Sequence, residues 1–368
     1  MNRILKRQTI LVVDDAPENL EMLSVILKGD YTVKVATSGK KAIDIASNPN
    51  TLPDLILLDV MMPDMDGYEV CRHLKVSDLT RKIPVIFISA LSETTDERKG
   101  FEVGGVDYIT KPVNAPIVRA RVKTHLALYD QNRALEEKVR ERTEELAHTQ
   151  DVTIVGFATL AEYRNQETGW HILATQQYVG ILARYLTTHP RFRTFLTPEN
   201  IELLRKSAPL HDIGKIAVPD RLLLKPGKLT PEEFDEIKKH TTYGRDALEK
   251  AEKALGDVRS SFLSIAKEIA YTHHERWDGT GYPQGLAGDE IPISGRLMAL
   301  ADVYDALVSP RVYKHAIPHR EAVEIIQHER GKHFDPDVVD AFLDLENIFD
   351  NIAQSMAQRP VSEPAAET

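Results

Sequence analysis

The sequence predicts a multidomain chain: an α/β doubly wound domain on a parallel five-stranded sheet, a helical linker, and then an all-α domain. Three observations predict it. Short β-branched or leucine-rich runs at residues 9–13, 55–58 and 84–88, with weaker ones at 32–36 and 107–109, alternate with helical patterns at 17–27, 40–46, 67–75 and 93–103. Strand alternating with helix builds a parallel sheet, whose strands are buried on both faces and read as continuous apolar runs. Residues 116–150 hold almost no Gly or Pro after Pro116 and are rich in Glu, Arg, Leu and Ala. From Val152 the pattern is mainly helical, with candidates at 153–164, 171–188, 198–211, 231–239, 244–252, 260–273, 293–307, 320–330 and 336–347. Pro198 and Pro231 each follow a threonine, as first-turn prolines do. The expected boundaries are 1–125 for the first domain, 126–150 for the linker and 151–350 for the second domain. Residues 351–368 form a polar, proline-containing tail expected to be disordered.

Length and composition agree with this division. At 368 residues two or three domains are expected. A net charge of -10 argues against a nucleic-acid polymer as partner, while leaving room for a small anion in a local basic or metal site. The single cysteine, Cys71, excludes an intrachain disulfide and a thiolate metal cage, so any transition metal must be held by His and carboxylate. The N-terminus lacks a signal-peptide core and no apolar run reaches membrane-spanning length, so a cytoplasmic chain without membrane partners is expected.

In a doubly wound sheet, ligands sit beyond the carboxyl ends of the strands. Those positions hold Asp14 and Asp15 after the first run, Asp59 after the third, Ser89 after the fourth and Lys111 after the last. Three converging carboxylates call for a divalent cation, and oxygen-only ligands favour Mg²⁺. Asp59 can then accept a phosphoryl group, with Lys111 and Ser89 holding its oxygens. Asp14-Asp15, Asp59 followed by Met61, Met62 and Pro63, Asp66-Gly67, Ser89-Ala90 and Lys111-Pro112 resemble a response-regulator receiver domain over about residues 8–125. The resemblance implies phosphorylation of Asp59 by a cognate sensor histidine kinase, a Mg²⁺ site of Asp14, Asp15, Asp59 and Met61, and a switch pair of Ser89 and Tyr108 acting with Lys111. In the linker, Leu128, Asn132, Leu135, Val139, Arg142 and Leu146 alternate at spacings of four and three, a heptad seam that predicts a homodimer.

The second domain carries the metal-ligand candidates. Of 13 histidines, most have surface or packing contexts, but five do not. His211-Asp212 is followed by Lys215; His171 lies four residues after Glu167; His240 ends a charged helix; His273-His274 closes an apolar one. Asp302 lies inside an apolar helix, where an unpaired carboxylate is expensive and a metal explains it. Eight N/O ligands (Glu167, His171, His211, Asp212, His240, His273, His274 and Asp302) exceed one tetrahedral zinc. They suit two or three divalent ions of Fe or Mn type, with Zn, Co or Ni as substitutes. Asp212 is the expected bridge. His211 and Asp302 would complete one ion, and His240, His273 and His274 the other. Glu167 and His171 would border the first ion and recruit a third. The following loop interleaves Gly279, Gly281, Gly285 and Gly288 with Trp277, Tyr282 and Pro283, which marks a tightly folded loop.

Glu167-Thr168-Gly169-Trp170-His171, His211-Asp212-Ile213-Gly214-Lys215, His240, the run from His273-His274 to Gly281-Tyr282-Pro283, and Ala301 to Leu307 closely resemble the HD-GYP branch of the HD phosphohydrolase superfamily, over about residues 150–345. The resemblance implies hydrolysis of cyclic di-GMP to pGpG and on to GMP. It implies Arg311 and Lys314 as phosphate contacts, Gly281, Tyr282 and Pro283 at the substrate, and diguanylate cyclase-type proteins among the partners. Asp212 and Lys215 would carry the catalysis, Lys215 by stabilising phosphate oxygens and protonating the leaving group. Where family members often have Arg-Asp the chain has Arg164-Asn165, which bears on the network beside Glu167 and on a third metal. Two competing readings remain. One is a phosphodiesterase acting on another cyclic dinucleotide such as cyclic GMP-AMP. The other is a non-catalytic cyclic di-GMP receptor or interaction platform, which would be expected to have lost ligands.

Overall fold

The computed structural model describes residues 7–90, 94–163, 170–256, 262–309 and 316–358. Contacts divide the chain into two compact units, Met1–Glu144 and Glu145–Thr368. Among the described residues no helix is long and apolar enough to cross a membrane.

The first unit runs β1 (Thr9–Val13), α1 (Pro17–Leu27), β2 (Thr32–Ala36), α2 (Gly39–Ala46), β3 (Leu55–Asp59), α3 (Gly67–Val76), β4 (Val85–Ser89), α4 (Thr94–Glu102), β5 (Asp107–Thr110) and the start of α5 (Ala115–Tyr163). The five strands are all parallel in the order β2-β1-β3-β4-β5. Strand order reverses between β1 and β3, so Asp14 and Asp59 flank the switch point where such sheets bind ligands. Side chains alternate across the sheet with a period of two. Ile10, Val12, Leu55, Leu57, Ile86 and Ile88 pack with Leu20, Leu23 and Leu27 of α1 and Val118, Val122 and Leu126 of α5. Leu11, Val13, Ile56, Leu58 and Phe87 face α2 and α3 through Ala42, Ala46, Val70 and Cys71. Asp66 caps α3 by accepting from the Glu69 amide at 2.7 Å, which fixes the chain direction just after the Asp59 strand.

The second unit is helical: the remainder of α5, then α6 (Trp170–Tyr185), α7 (Pro198–Ser207), the short α8 (Asp220–Leu223), α9 (Pro231–Lys238), α10 (His240–Leu255), α11 (Phe262–Thr272), α12 (Ile293–Val308), α13 (His319–His328), α14 (Pro336–Asp344) and α15 (Glu346–Ala357). Thr197 and Thr230 cap the two helices that open with proline. The core closes on Tyr178, Tyr304, Phe342 and Phe349, all fully buried, with Tyr178 stacked on Phe349 at 4.5 Å.

Four details differ from the sequence expectation. The linker and the first helix of the second domain are one uninterrupted helix, α5, because no Gly or Pro breaker separates them beyond the tolerated Gly156. The helix predicted to reach residue 211 ends at Ser207 and tightens into a 3₁₀ turn over Ala208–Leu210, as the proline at 209 requires. The helix predicted to open at 244 already begins at His240. Finally, α15 continues past residue 351 to Ala357, because Phe349, Ile352 and Met356 form a buried stripe that the polar composition conceals. Residues 359–368 of the predicted tail lie outside the described residues.

If α15 belongs to this core, Phe349→Ala should destabilise the second unit by about 3–5 kcal/mol, as truncating a buried aromatic does. Denaturant unfolding monitored on the full chain measures this, and a change below about 1 kcal/mol would contradict the assignment.

Candidate phosphoacceptor and metal centre

At the carboxyl end of the sheet, Asp14 and Asp59 are buried and Asp15 is exposed. Oxygens of the three carboxylates come within 4.8 Å of one another. Lys111 reaches in from the end of β5, with Nζ 3.1 Å from Asp14 Oδ2 and 2.9 Å from Asp59 Oδ1. Asn19, on α1, donates to both oxygens of Asp14 at 3.0 Å. Burial pushes the Asp59 carboxyl up from its ordinary value, and Lys111 offsets only part of that. This is a group kept short of compensating charge, which a divalent cation supplies. Ser89 is buried at the end of β4, and the side chain of Met61 is exposed. Tyr108 is turned inward, with its ring 5.2 Å from Phe87 and its hydroxyl 3.4 Å from that of Tyr68. Gly100 of α4 makes the room, since a Cβ there would stand 1.6 Å from the Tyr108 hydroxyl.

In the second unit, five imidazoles converge. Four of them have Nδ1 tied off. His211 Nδ1 donates to the Ala208 carbonyl at 3.0 Å, His240 Nδ1 to Ile237 at 2.7 Å, and His273 Nδ1 to Ile269 at 2.9 Å. His171 Nδ1 meets Asp305 Oδ2 at 2.7 Å. These bonds turn the Nε2 of the first three rings inward, the orientation of metal-ligating histidines.

Asp212 lies at the meeting point. One carboxylate oxygen is 3.3 Å from His211 Nε2 and 2.5 Å from Lys215 Nζ; the other is 3.2 Å from His240 Nε2 and 3.7 Å from His273 Nε2. Burial acts to raise its pKa, but Lys215 and His211 outweigh it and hold the carboxyl well below the ordinary range. On the other side, His171 Nε2 is 3.3 Å from His211 Nε2, 3.6 Å from Asp302 and 3.7 Å from Glu162. Burial disfavours a charged His171, yet Asp305, Glu162 and Asp302 overcome it and raise the ring above its ordinary value. His274 is the reverse case: burial and the neighbouring His273 and His240 hold it well below, as a neutral ring.

These residues fit a metal. Asp212 Oδ1, His240 Nε2 and His273 Nε2 are buried polar atoms with no hydrogen-bond partner. Buried polar atoms left without partners are costly, and a cation among them would satisfy all three. His171 tells the same story: three carboxylates around one ring demand a positive charge, which is a proton when metal is absent and the metal when it is present. The ligand atoms fall into two groups, Asp212 with His240, His273 and His274, and Glu162 with His171 and His211, while Asp302 borders the second.

Local sequence explains the placement. His211 and Asp212 lie at the chain reversal between two 3₁₀ turns, where adjacent side chains can share a centre. Gly214 then lets that turn touch the start of α10, since a Cβ there would stand 1.9 Å from the His240 carbonyl. Glu275, buried after the His pair, accepts from the amides of Gln284 and Leu286 at 2.8 and 3.1 Å and so fastens the loop carrying Gly281, Tyr282 and Pro283. Tyr282 stands 4.8 Å from the His274 ring.

The structure thus brings together His171, His211, Asp212, Lys215, His240, His273, His274 and Asp302. His171 stands within the group that holds His211 rather than at its border. Glu167, Arg311 and Lys314, with Arg164-Asn165, lie outside the described residues. Sequence reasoning missed Glu162 and Asp305. Glu162 continues the buried stripe Ile154, Ala158 at intervals of four, and Asp305 follows Asp302 by three on a buried helix, spacings that become informative only once those faces are known to be buried.

A buried carboxylate cluster at a sheet's switch point, on one chain with a His/Asp cluster that fits a metal in a helical unit, is the layout of a receiver-type domain joined to a metal-dependent hydrolase. Comparison with known proteins names it further. Residues 10–123 match the response regulator receiver domain family and residues 176–338 the HD domain family. The chain is 50% identical over 360 residues to a Vibrio cholerae protein named "Probable cyclic di-GMP phosphodiesterase", covering 96% of this chain and 81% of that one. It is 38% identical over 354 residues to a Thermotoga maritima protein named "Cyclic di-GMP phosphodiesterase", covering 92% and 90%. A V. cholerae "3'3'-cGAMP-specific phosphodiesterase 2" is 38% identical over 200 residues, covering 54% of this chain and 35% of that protein. The chain belongs to the family of response regulators that join a receiver domain to an HD-GYP-type phosphodiesterase domain.

The raised Asp59 carboxyl makes a testable statement about stability. A folded value above the unfolded one means the native state binds the proton more tightly, so the native state gains stability as pH falls through the folded value. At neutral pH the buried charge is therefore a cost. Asp59→Asn should raise the receiver's unfolding temperature at pH 7 in chelator, and the difference should shrink on acidification through the folded range. Thermal scans of the full chain across pH measure it; a destabilised Asn variant would refute it.

Proposed function

We propose that this chain is a two-component response regulator whose helical domain hydrolyses cyclic di-GMP to pGpG, and on to GMP, at a centre of two or three divalent transition metals, under control of phosphorylation at Asp59. The observation that carries the reading is the cluster of partnerless buried acceptors around Asp212, set beside His171, His211 and Asp302. Asp212 would bridge two ions. His171, His211 and Asp302 would hold one and His240, His273 and His274 the other, while Glu162 or Glu167 would serve a third. Nitrogen-rich, thiolate-free ligation supports Fe or Mn, with Zn, Co or Ni as substitutes. Bound there, such ions supply a nucleophilic water at neutral pH and neutralise charge on the phosphodiester.

The reaction adds water across one phosphorus–oxygen bond: the water oxygen joins phosphorus, the bond to the 3′ oxygen breaks, and one proton passes to that oxygen. Lys215, held 2.5 Å from Asp212, is the ammonium we assign to donate this proton. Arg311 and Lys314 are assigned to the phosphate oxygens, and Gly281, Tyr282 and Pro283 to the substrate face beside His274.

We assign residues 1–125 to the receiver, 126–150 to the linker and 151–350 to the phosphodiesterase domain, in a cytoplasmic protein. A sensor histidine kinase would phosphorylate Asp59 with Mg²⁺ at Asp14, Asp15 and Met61, and Ser89 and Tyr108 would respond with Lys111. Leu128, Leu135, Val139 and Leu146 form an exposed stripe on α5, with Phe157 and Leu160 further along the same face. Such a stripe supports pairing with a second copy of the chain. Diguanylate cyclase-type proteins remain partners by family resemblance.

Metal analysis of anaerobically purified protein, joined to product analysis with cyclic di-GMP and 3′3′-cyclic GMP-AMP, tests the reading. Asp212→Ala should lower bound metal by at least one ion per chain and reduce turnover about 10³-fold or more. Full turnover in that variant would overturn the assignment. Beryllofluoride with Mg²⁺ should change both turnover and oligomeric state, and should do neither in Asp59→Asn. A chain indifferent to beryllofluoride would refute the control by phosphorylation.

A further inference from the structure

Helix α9 buries none of its residues, yet it carries a phenylalanine. Phe234 is 43% exposed, so burial explains little of its presence. Its ring is not isolated. It meets Tyr282 edge to face, with centroids 6.2 Å apart and planes at 80°. Tyr282 in turn lies over His274 at 4.8 Å, tilted by 30°. Three rings therefore run from an imidazole of the metal centre out to solvent. Lys238, one turn after Phe234, holds its Nζ 4.7 Å from the Phe234 ring centroid and 5.6 Å from that of Tyr282. Its ion pair, 2.8 Å to the exposed Asp235, leaves it two further donors.

An open corner of two aromatic rings beside a phosphate-handling centre is a surface on which a nucleobase stacks. We infer that Phe234, Tyr282 and Lys238 form the subsite for one guanine base of the substrate, an inference that rests on the reading of the chain as a cyclic-dinucleotide phosphodiesterase. The rings supply stacking, which any base accepts. The ammonium supplies discrimination: guanine presents two acceptors, O6 and N7, on one edge, whereas adenine replaces O6 with an amino donor that a lysine repels. Phe234 thus sets affinity for a purine and Lys238 sets the choice of guanine. Phe234 lies outside every motif read from the sequence, and nothing in its local pattern marks it as more than a surface residue of an amphipathic helix.

Steady-state kinetics of the full chain with cyclic di-GMP, 3′3′-cyclic GMP-AMP and cyclic di-AMP test this. Phe234→Ala should raise KM for cyclic di-GMP about tenfold, the usual loss for one stacked base. Its kcat should stay within about twofold, because the ring acts in binding alone. Phe234→Tyr and Phe234→Trp should restore KM. Phe234→Leu, which keeps apolar bulk without a π face, should not. Lys238→Met should narrow the preference for cyclic di-GMP over cyclic di-AMP about tenfold. An unchanged KM in Phe234→Ala, or full restoration by leucine, overturns the subsite while leaving the phosphodiesterase reading intact. A wild-type chain that opens none of the three dinucleotides overturns both.

Discussion

The second unit depends on one electrostatic constraint, the burial of Asp212 among imidazole nitrogens. One carboxylate oxygen lies 3.2 Å from His240 Nε2 and 3.7 Å from His273 Nε2, and all three atoms are buried without a hydrogen-bond partner. Removed from water, that arrangement is strongly unfavourable unless a cation completes it. The rest of the unit can be understood as what holds the acceptors there. Backbone carbonyls one helical turn upstream absorb the Nδ1 protons, which removes the rings' freedom to turn and donate. Close approach of the Gly214 turn to α10 fixes the distance between Asp212 and His240. Lys215 supplies one positive charge from within the chain, and its contact with a single oxygen of Asp212 leaves the other oxygen for a cation from outside.

The receiver's acidic cluster obeys the same rule with a different balance. There too carboxylates are buried beside one lysine, yet each has a hydrogen-bonded or ionic partner: Asn19 on Asp14, and Lys111 on both Asp14 and Asp59. The cluster is partly open to solvent through the exposed Asp15. A hard ion held by oxygen alone, exchanging readily, matches that environment. The deeper, nitrogen-rich cluster of the second unit matches a resident transition metal. Two acidic clusters on one chain thus differ in the ligand atoms they offer, oxygen alone in the first unit and mainly imidazole nitrogen in the second.

How much of this was legible in the sequence follows from what each residue does locally. The strands announced themselves because a parallel sheet buries both faces, and β3 and β4 are apolar throughout. Asp14, Asp59 and Lys111 could be read because strand ends fix where ligands must lie. His211-Asp212 and His273-His274 stood out as pairs of unusual composition at helix ends. Glu162 and Asp305 were hidden for the opposite reason. Each is an ordinary acid on a helix until tertiary packing turns its face inward, and only then does it become one of three carboxylates around His171. The continuation of α15 was hidden likewise, because Phe349 and Met356 are spaced among polar residues that dominate the composition.

Helix α5 joins these observations. Near its start, Val118, Val122 and Leu126 are buried against the sheet, and Arg121 and His125 both bind Asp107 on β5, the strand that carries Tyr108. Near its end, Ile154 and Ala158 are buried and Glu162 meets His171. Between them the helix shows an exposed apolar stripe on one side. Each end of α5 is thus held by the apolar core of its own unit, and the stripe between them is left exposed. An exposed apolar stripe on a solvated helix costs free energy that neither core recovers.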